Sequence, residues 1–248
     1  MGWVLGGFMR FRLLPSFCLF LFSQAFAAQQ QATTVPFDNE TAAGSPIETT
    51  GKVAVRETVA GNEVESSWEE NVVARNISNK PILLLIRDLD ENGPHSNGGE
   101  RKIIENFFGE AIQPGDSIPL AESGSRRVEC CINPLNEGRD AKAAFRVLFV
   151  QFLDGSTFGD LAVAGDVLAS RTAILEALRE LVRVYSEQGE QRFRIQLEGR
   201  SVHDASEILS IIFTTGKVKG TGAAISQLRK TLAVGEEHEA MIGKQPRK

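Results

Sequence analysis

The residues whose spacing best suits chemistry lie between positions 88 and 93. Asp88, Asp90 and Asn92 alternate and Gly93 follows them, which is the order of oxygen ligands and glycine in a calcium-binding loop. Hard cations need several oxygens that converge on one point, and a tight turn can supply them. The acid that should close the loop comes one residue late, at Glu100. A polar hairpin loop is therefore the interpretation we favour, and calcium is the alternative.

Two other segments contain groups that could do chemistry. Asp154 and Asp160 could serve a metal or acid–base catalysis, but Asp154-Gly155 is also a typical turn after a strand. The segment Gly216–Gly222 has glycines and lysines but not in the order of a phosphate-binding loop, so we expect a linker between helices.

The three histidines are His95, His203 and His238, and none has a His or Cys partner at metal-ligand spacing. We expect all three at the surface. The sequence has no Gly-x-Ser-x-Gly elbow either. We therefore assign no catalytic residue and no cofactor-binding residue from the sequence.

The first 27 residues predict where the protein acts. Arginines precede an apolar run at 13–22, and Ala25-Phe26-Ala27 has the small residues of a cleavage site. The run is shorter than the roughly 20 residues that a membrane-spanning helix needs. We expect a cleaved signal peptide at 1–27 and a mature chain in the periplasm or outside the cell. An uncleaved membrane anchor is the alternative.

The charge of the chain argues against some partners. The formal net charge is −5, and loss of two arginines with the signal peptide makes the mature chain more acidic. Binding to nucleic acid or to anionic membranes needs clustered Lys and Arg. One Tyr and two Trp provide few platforms for stacking. We expect no nucleic-acid partner and no membrane span in the mature chain.

Two adjacent cysteines, Cys130 and Cys131, remain in the mature chain. Neighbouring Cα atoms are about 3.8 Å apart, whereas an ordinary disulfide wants about 4.4–6.8 Å. On a strand the two side chains would point to opposite faces. We expect one to pack inward and one to be half-exposed, with a redox switch or an intermolecular bridge as alternatives.

Strand patterns dominate the first part of the mature chain. Residues 28–50 are small and polar without periodicity, which predicts a disordered or extended lead-in. Seven strand candidates then follow, separated by turn residues, at 52–59, 68–76, 81–87, 101–108, 117–120, 127–132 and 144–152. The unbroken apolar run in the third candidate indicates a central, buried strand. Short strands at this spacing predict an antiparallel β-sandwich domain over residues 51–163.

Helical periodicity replaces the strand pattern at Gly165. A first helix is expected to end at Gly189, and we favour helix over strand for the ambiguous residues 190–200. Further helices are expected at 204–213, capped by Asp204, and at 221–234. The fold class is therefore α+β, with a C-terminal helical region at 164–248. That region forms either a small bundle or a cover over the sandwich.

Three segments also resemble a known class of protein. The turn between strands in Val72–Ile82, the segment Phe107–Gly115 and the run Phe152–Asp160 resemble extracytoplasmic immunoglobulin-like domains of uncharacterised secreted bacterial proteins. The resemblance covers about residues 50–160. It implies an immunoglobulin-like sandwich and a location outside the cytoplasm, and it carries no catalytic residue. The Cys…Trp…Cys core of antibody domains is absent.

Together these features predict a non-enzymatic interaction or binding module whose partner is another envelope protein. Such a module should have a flat or apolar patch. An unrecognised secreted hydrolase with a dispersed site is one alternative, and it should have a deep polar pocket with titratable groups of shifted pKa. A structural domain stabilised by calcium at Asp88, Asp90 and Asn92 is another.

Overall fold

The computed structural model describes residues 32–244, except 36, 61–62, 93–96, 121, 130–141 and 204–205. The strands in that part of the chain are β1 (Ala32–Val35), β2 (Phe37–Asn39), β3 (Ile47–Ala60), β4 (Glu63–Asn76), β5 (Ile82–Asn92), β6 (Asn97–Glu105), β7 (Ser117–Pro119), β8 (Glu122–Glu129), β9 (Lys142–Phe152) and β10 (Thr157–Gly159). The α-helices are α1 (Gly165–His203), α2 (Glu207–Lys219) and α3 (Thr221–Gly243), and a 3-10 turn, Leu161–Ala164, precedes α1. The expected signal peptide, Cys130, Cys131, His95 and Asp204 lie outside the described residues.

The strands form two sheets. The first sheet has the order β1-β3-β4-β7, and β8 also pairs with β4. The second has the order β10-β9-β5-β6, and β2 also pairs with β9. The β2–β9 pairing is parallel, whereas the other pairings within the described strands are antiparallel. The α+β class, with two largely antiparallel sheets followed by a helical region, is confirmed.

A common core lies between the two sheets. Val53 and Val72 from the first sheet pack in one cluster with Leu85, Phe145 and Val150 from the second. Because successive side chains on a strand point to opposite faces, each strand contributes alternate residues to this core.

Strand β5 is buried on both of its faces, as its unbroken apolar run predicts. The five residues Ile82–Ile86 are fully buried. Leu85 packs in the core between the sheets, whereas Leu84 and Ile86 pack with Phe149 and Ala164 on the side of the helices. The molecule therefore has three layers in the order first sheet, second sheet, helices.

A charged pair interrupts the apolar core between the sheets. Arg87 of β5 and Glu70 of β4 are both fully buried, and the Arg87 Nη2 atom lies 2.7 Å from the Glu70 Oε2 atom. The Arg87 guanidinium also lies 5.8 Å from the centroid of the Phe145 ring. Two charges can be buried in this way because each compensates the other. The pair thus joins the two sheets at this point.

Part of the expected lead-in belongs to the sheets. Strand β1 pairs with β3 and strand β2 pairs with β9, and β3 itself begins at Ile47. The segment 28–50 is therefore extended over these strands, and its disordered form is not what the described residues show. Backbone hydrogen bonds explain the difference, since they stabilise a polar segment that has no hydrophobic periodicity.

The helices form a core of their own and also cover the second sheet. Leu178 and Phe193 of α1, Leu209 of α2 and Leu228 of α3 pack in one cluster. The cap of α2 is Ser206, whose hydroxyl accepts a hydrogen bond from the Leu209 amide. The preference for helix over residues 190–200 is confirmed. Both expected arrangements, bundle and cover, are thus present together.

A polar junction attaches the helices to the second sheet. Arg171 of α1 donates hydrogen bonds to the Glu105 carboxylate, at 2.9 and 3.1 Å, and to the Gln151 Oε1 atom. Its guanidinium lies 4.3 Å from the centroid of the Phe107 ring. On the other side, the His238 Nδ1 atom lies 2.8 Å from the Phe107 carbonyl oxygen. The expectation that His238 lies at the surface is wrong, because α3 carries it into this buried junction.

Gly189 divides α1 into two helical segments, so the first segment ends where the sequence predicts. Its φ of 80° and ψ of −178° belong to a region that only glycine adopts readily. A Cβ atom there would meet nothing within 4 Å, so a side chain would destabilise the protein only through the strained backbone conformation. We expect Gly189→Ala to destabilise the protein by about 1–3 kcal/mol, measured by thermal unfolding followed by circular dichroism.

Gly165→Ala is the matched control for that substitution. Gly165 has helical φ and ψ of −51° and −50°, and a Cβ atom there would also meet nothing within 4 Å. Alanine at this position should be neutral or stabilising by about 0.4–1 kcal/mol. Equal melting temperatures for the two variants would contradict the role of the Gly189 backbone.

Candidate functional site

The segment proposed as a calcium loop is part of a strand. Asp88, Asp90 and Asn92 lie in β5, which pairs with β6 and β9 along this stretch. The Asp88 carboxylate accepts hydrogen bonds of 2.8 and 3.0 Å from Arg101, and Asp90 forms an ion pair with Arg146. Residues 88–92 therefore lie in a strand and not in a loop, residues 93–96 lie outside the described part of the chain, and calcium binding at Asp88, Asp90 and Asn92 stays a prediction. Their alternation is that of one strand face, and arginines neutralise the two carboxylates.

The segment after β9 is a turn, as expected. Gly155 has a φ of 83°, and the chain then enters β10, where Phe158 packs against the core between the sheets. Burial alone would raise the pKa of Asp154, but hydrogen bonds from Lys80 and Ser156 outweigh it and lower the pKa to about 2. Asp154 thus holds the turn in place as a carboxylate, 2.6 Å from the Lys80 ammonium.

The expected linker Gly216–Gly222 is wrong over most of its length. Residues 216–219 form the last turn of α2, Gly220 separates the helices with a φ of 89°, and α3 begins at Thr221. A Cβ atom on Gly216 would lie 3.2 Å from the Ala224 Cβ atom, so glycine allows α2 and α3 to approach closely. Lys217 consequently stands on a helix, with its Nζ atom 4.3 Å from the centroid of the Phe213 ring.

Arg101, Asp154, Arg179, Glu180 and Arg183 have shifted pKa values, and none of these five residues lines a cavity described below. The pKa values of Arg101, Arg179 and Arg183 are raised, chiefly by the hydrogen bonds that they donate to Asp88, Glu239 and Glu180 respectively. These groups, with Asp154 and Glu180, lie in ion pairs outside the cavity linings. Among the described residues no group of three or more His, Cys, Asp and Glu side chains could hold a metal.

A groove opens between the three helices and is the strongest candidate for a binding site. It has a volume of about 390 Å³. Its apolar lining comes from all three helices and consists of Phe193, Ile195, Leu197, Phe213 and Ala224. Its polar lining includes Gln191, Arg194, Glu198, Lys217 and Thr221. We call this cavity the helical groove.

Ile195 is the most exposed of the apolar residues in the lining, with an exposed fraction of 55%. Phe193 and Leu197 lie deeper and are buried in the core of the helices. A large apolar side chain at the mouth of a groove, with buried aromatic and aliphatic groups behind it, is typical of a site that receives apolar side chains from a partner.

Two other cavities have different characters. A groove of about 660 Å³ on the first sheet is lined mainly by small or polar side chains, among them Ser67, Ser123 and Ser125. A cavity of about 200 Å³ lies at the junction of helices and sheet, beside Arg171. Arg171 is already bonded to Glu105 and Gln151 there. Both cavities also have apolar groups in their linings, Trp68 in the first and Phe107 and Leu175 in the second, but only the helical groove is lined by all three helices.

The outer side of α2 adds a second exposed apolar feature. Ile211 and Val218 have exposed fractions of 51% and 75%, and they lie seven positions apart on one side of the helix. They do not line the helical groove. Leu209 and Ile212 on the inner side are buried, so α2 is apolar on two sides.

Sequence reasoning missed the helical groove because it placed the end of α2 too early. Gly216 favours a linker in the sequence, although Lys217 and Val218 after it belong to α2. The apolar spacing of Leu209, Ile212 and Phe213 with the lysines after them could have indicated a longer helix. The approach of 190–198 to α2 and α3 is a tertiary contact with no sequence signal.

No helix in the described residues is both long and apolar enough to cross a bilayer. Comparison of the chain with protein-family models, with curated proteins and with solved structures finds no match.

Proposed function

We propose that the protein is a non-enzymatic binding module that acts in the periplasm or outside the cell. In this proposal an immunoglobulin-like sandwich forms the scaffold and the helical region receives another envelope protein. The location rests on the features of residues 1–27, and the sandwich rests on two sheets with a common core. The partner is expected to bind in the helical groove.

The observation that carries this proposal is the exposed side chain of Ile195 in the lining of a groove that all three helices form. A groove that combines apolar groups with a few polar side chains is the usual form of a binding site. Ile195 lies half in water at the mouth, although the helices have a well-packed core directly behind it.

Crosslinking in the host tests the proposal. A photoreactive amino acid at Gln191, in the lining of the groove, should crosslink to one protein reproducibly in the envelope fraction. Ile195→Ser should reduce that adduct about tenfold, because it removes apolar area from the contact. The chain recovered from the same fraction should begin near Ala28.

Ile211→Ser is the matched control, since Ile211 is as exposed as Ile195 but lies outside the groove. This variant should retain the adduct. Loss of the adduct in both variants would move the contact to the outer side of α2, and an adduct that survives in both, or no adduct at all, would contradict the proposal.

A further inference from the structure

We propose that the partner segment in the helical groove is an amphipathic helix that carries carboxylates beside its apolar face. This inference rests on the proposed function and names the chemistry of the partner. It follows from the charges at the mouth of the groove, from the length of the groove and from the backbone that borders it.

The mouth of the helical groove is positively charged in a chain that is acidic as a whole. Arg194 and Lys217 line it with one carboxylate, Glu198, whereas the net charge of the chain is −5. Glu198 already takes part in an interaction within the protein, whereas Arg194 has no hydrogen bond or ion pair with other described residues. A partner with carboxylates at the rim would therefore meet a free guanidinium.

Lys217 is held in a position that suits the same role. Its Nζ atom lies over the Phe213 ring, at 4.3 Å from the centroid, and Phe213 belongs to the apolar lining. The ammonium therefore stands at the border between the apolar lining and water. An incoming side chain that packs on Phe213 would bring a flanking carboxylate near Lys217.

The length of the groove fits a short stretch of helix. Its wall on α1 runs from Gln191 to Glu198, which corresponds to about two helical turns and roughly 10 Å. A partner helix with apolar residues at i, i+4 and i+7 presents anchors over the same length. A cavity of about 390 Å³ has room for a few such side chains.

The walls of the groove favour a helix over an extended strand. They are built from α1, α2 and α3, whose backbone amides and carbonyls are bonded within the helices. An extended peptide would find no strand edge to pair with and would lose its own hydrogen bonds to water. A helix makes its backbone hydrogen bonds within itself and therefore keeps them when it binds.

The concave form of the site also favours a peptide over a membrane surface. The groove is a cavity of about 390 Å³ with walls from three helices, and a peptide segment can enter such a cavity whereas the surface of a bilayer cannot. A helix that lies on a membrane instead presents its apolar side chains outward.

Two designed peptides test the inference with the purified mature protein. Both carry leucines at i, i+4 and i+7, and one is flanked by glutamates whereas the other is flanked by lysines. Fluorescence anisotropy should show that the glutamate peptide binds at least about tenfold more tightly, with an affinity that falls as salt rises. The doubly reversed variant Arg194→Glu with Lys217→Glu should invert this preference.

Lys52→Glu is the matched control, because Lys52 is exposed on β3, away from the helices. Like the double variant, it replaces a positive side chain with a negative one and makes the protein more acidic. It should leave the preference for glutamate unchanged, and circular dichroism should show that the three proteins are equally folded. Inversion of the preference in the double variant cannot result from misfolding, since binding of the lysine peptide requires an intact groove.

Three results would overturn the inference. These are equal binding of the two peptides, binding of neither peptide, and binding of the protein to vesicles of anionic lipid that Ile195→Ser abolishes. A groove-dependent adduct in the host together with no preference for the glutamate peptide would reject the acidic helix but keep the proposed function. Absence of any crosslinked adduct in the host would reject both the acidic helix and the proposed function.

Discussion

Glu70→Ala is expected to lower the free energy of unfolding by about 3–5 kcal/mol. The substitution removes the carboxylate that lies 2.7 Å from the Arg87 guanidinium and leaves that charge in a fully buried position. Few solvent molecules can reach the site, because Arg87 lies between the two sheets beside the Phe145 ring. Urea denaturation should therefore show a lower midpoint with an unchanged slope.

The double variant Glu70→Leu with Arg87→Met distinguishes the effect of a buried charge without its partner from the effect of lost packing. It fills the same space with apolar groups, so its stability should return to that of the natural chain or exceed it by about 1–4 kcal/mol. If the double variant were as unstable as Glu70→Ala, the pair would contribute through packing or a further hydrogen bond, and the explanation by an uncompensated charge would be wrong.

Arg171→Met should have the next largest effect, a loss of about 2–3 kcal/mol. The change removes the hydrogen bonds to Glu105 and Gln151 and the contact with the Phe107 ring, while it keeps a side chain of similar length. Because these contacts join α1 to the second sheet, hydrogen exchange should speed up first in the helices.

Arg183→Met is the comparison for Arg171→Met. Arg183 pairs with Glu180 and Glu187 on the exposed side of α1, at distances of 2.7 and 2.6 Å. Surface ion pairs of this kind contribute little to stability, so this variant should remain close to the natural chain in its resistance to unfolding. Similar losses in both variants would show that the burial of Arg171 has no special effect.

The sequence predicts the first half of β5 correctly and the second half incorrectly, for one physical reason. The run Ile82–Ile86 needs no partner to be recognised as buried, because every residue in it is apolar. Arg87 breaks the pattern, and its partner Glu70 lies on another strand in a different sheet. Periodicity cannot reveal such a pair, so the alternating Asp88 and Asp90 resemble a ligand loop instead of a strand face.

The helical region shows the same division. Inward positions such as Leu178, Leu181 and Leu228 follow the helical period and are predicted from it. The helical groove depends on how the segment after Gly189 folds against α2 and α3, and on the small size of Gly216. His238 is misjudged for a similar reason, since its burial follows from the docking of α3 onto Phe107.

The second sheet serves as a shared wall, and this restricts where the chain can be divided. The boundary at 163–164 separates strands from helices in the sequence, but Leu84, Ile86 and Phe149 need the turn before α1 and the start of α1 to cover them. A fragment that ended there would expose a continuous apolar sheet surface and would be prone to aggregate. The helices therefore protect the strands against self-association, so the strands and the helical region have to be expressed and engineered as one unit.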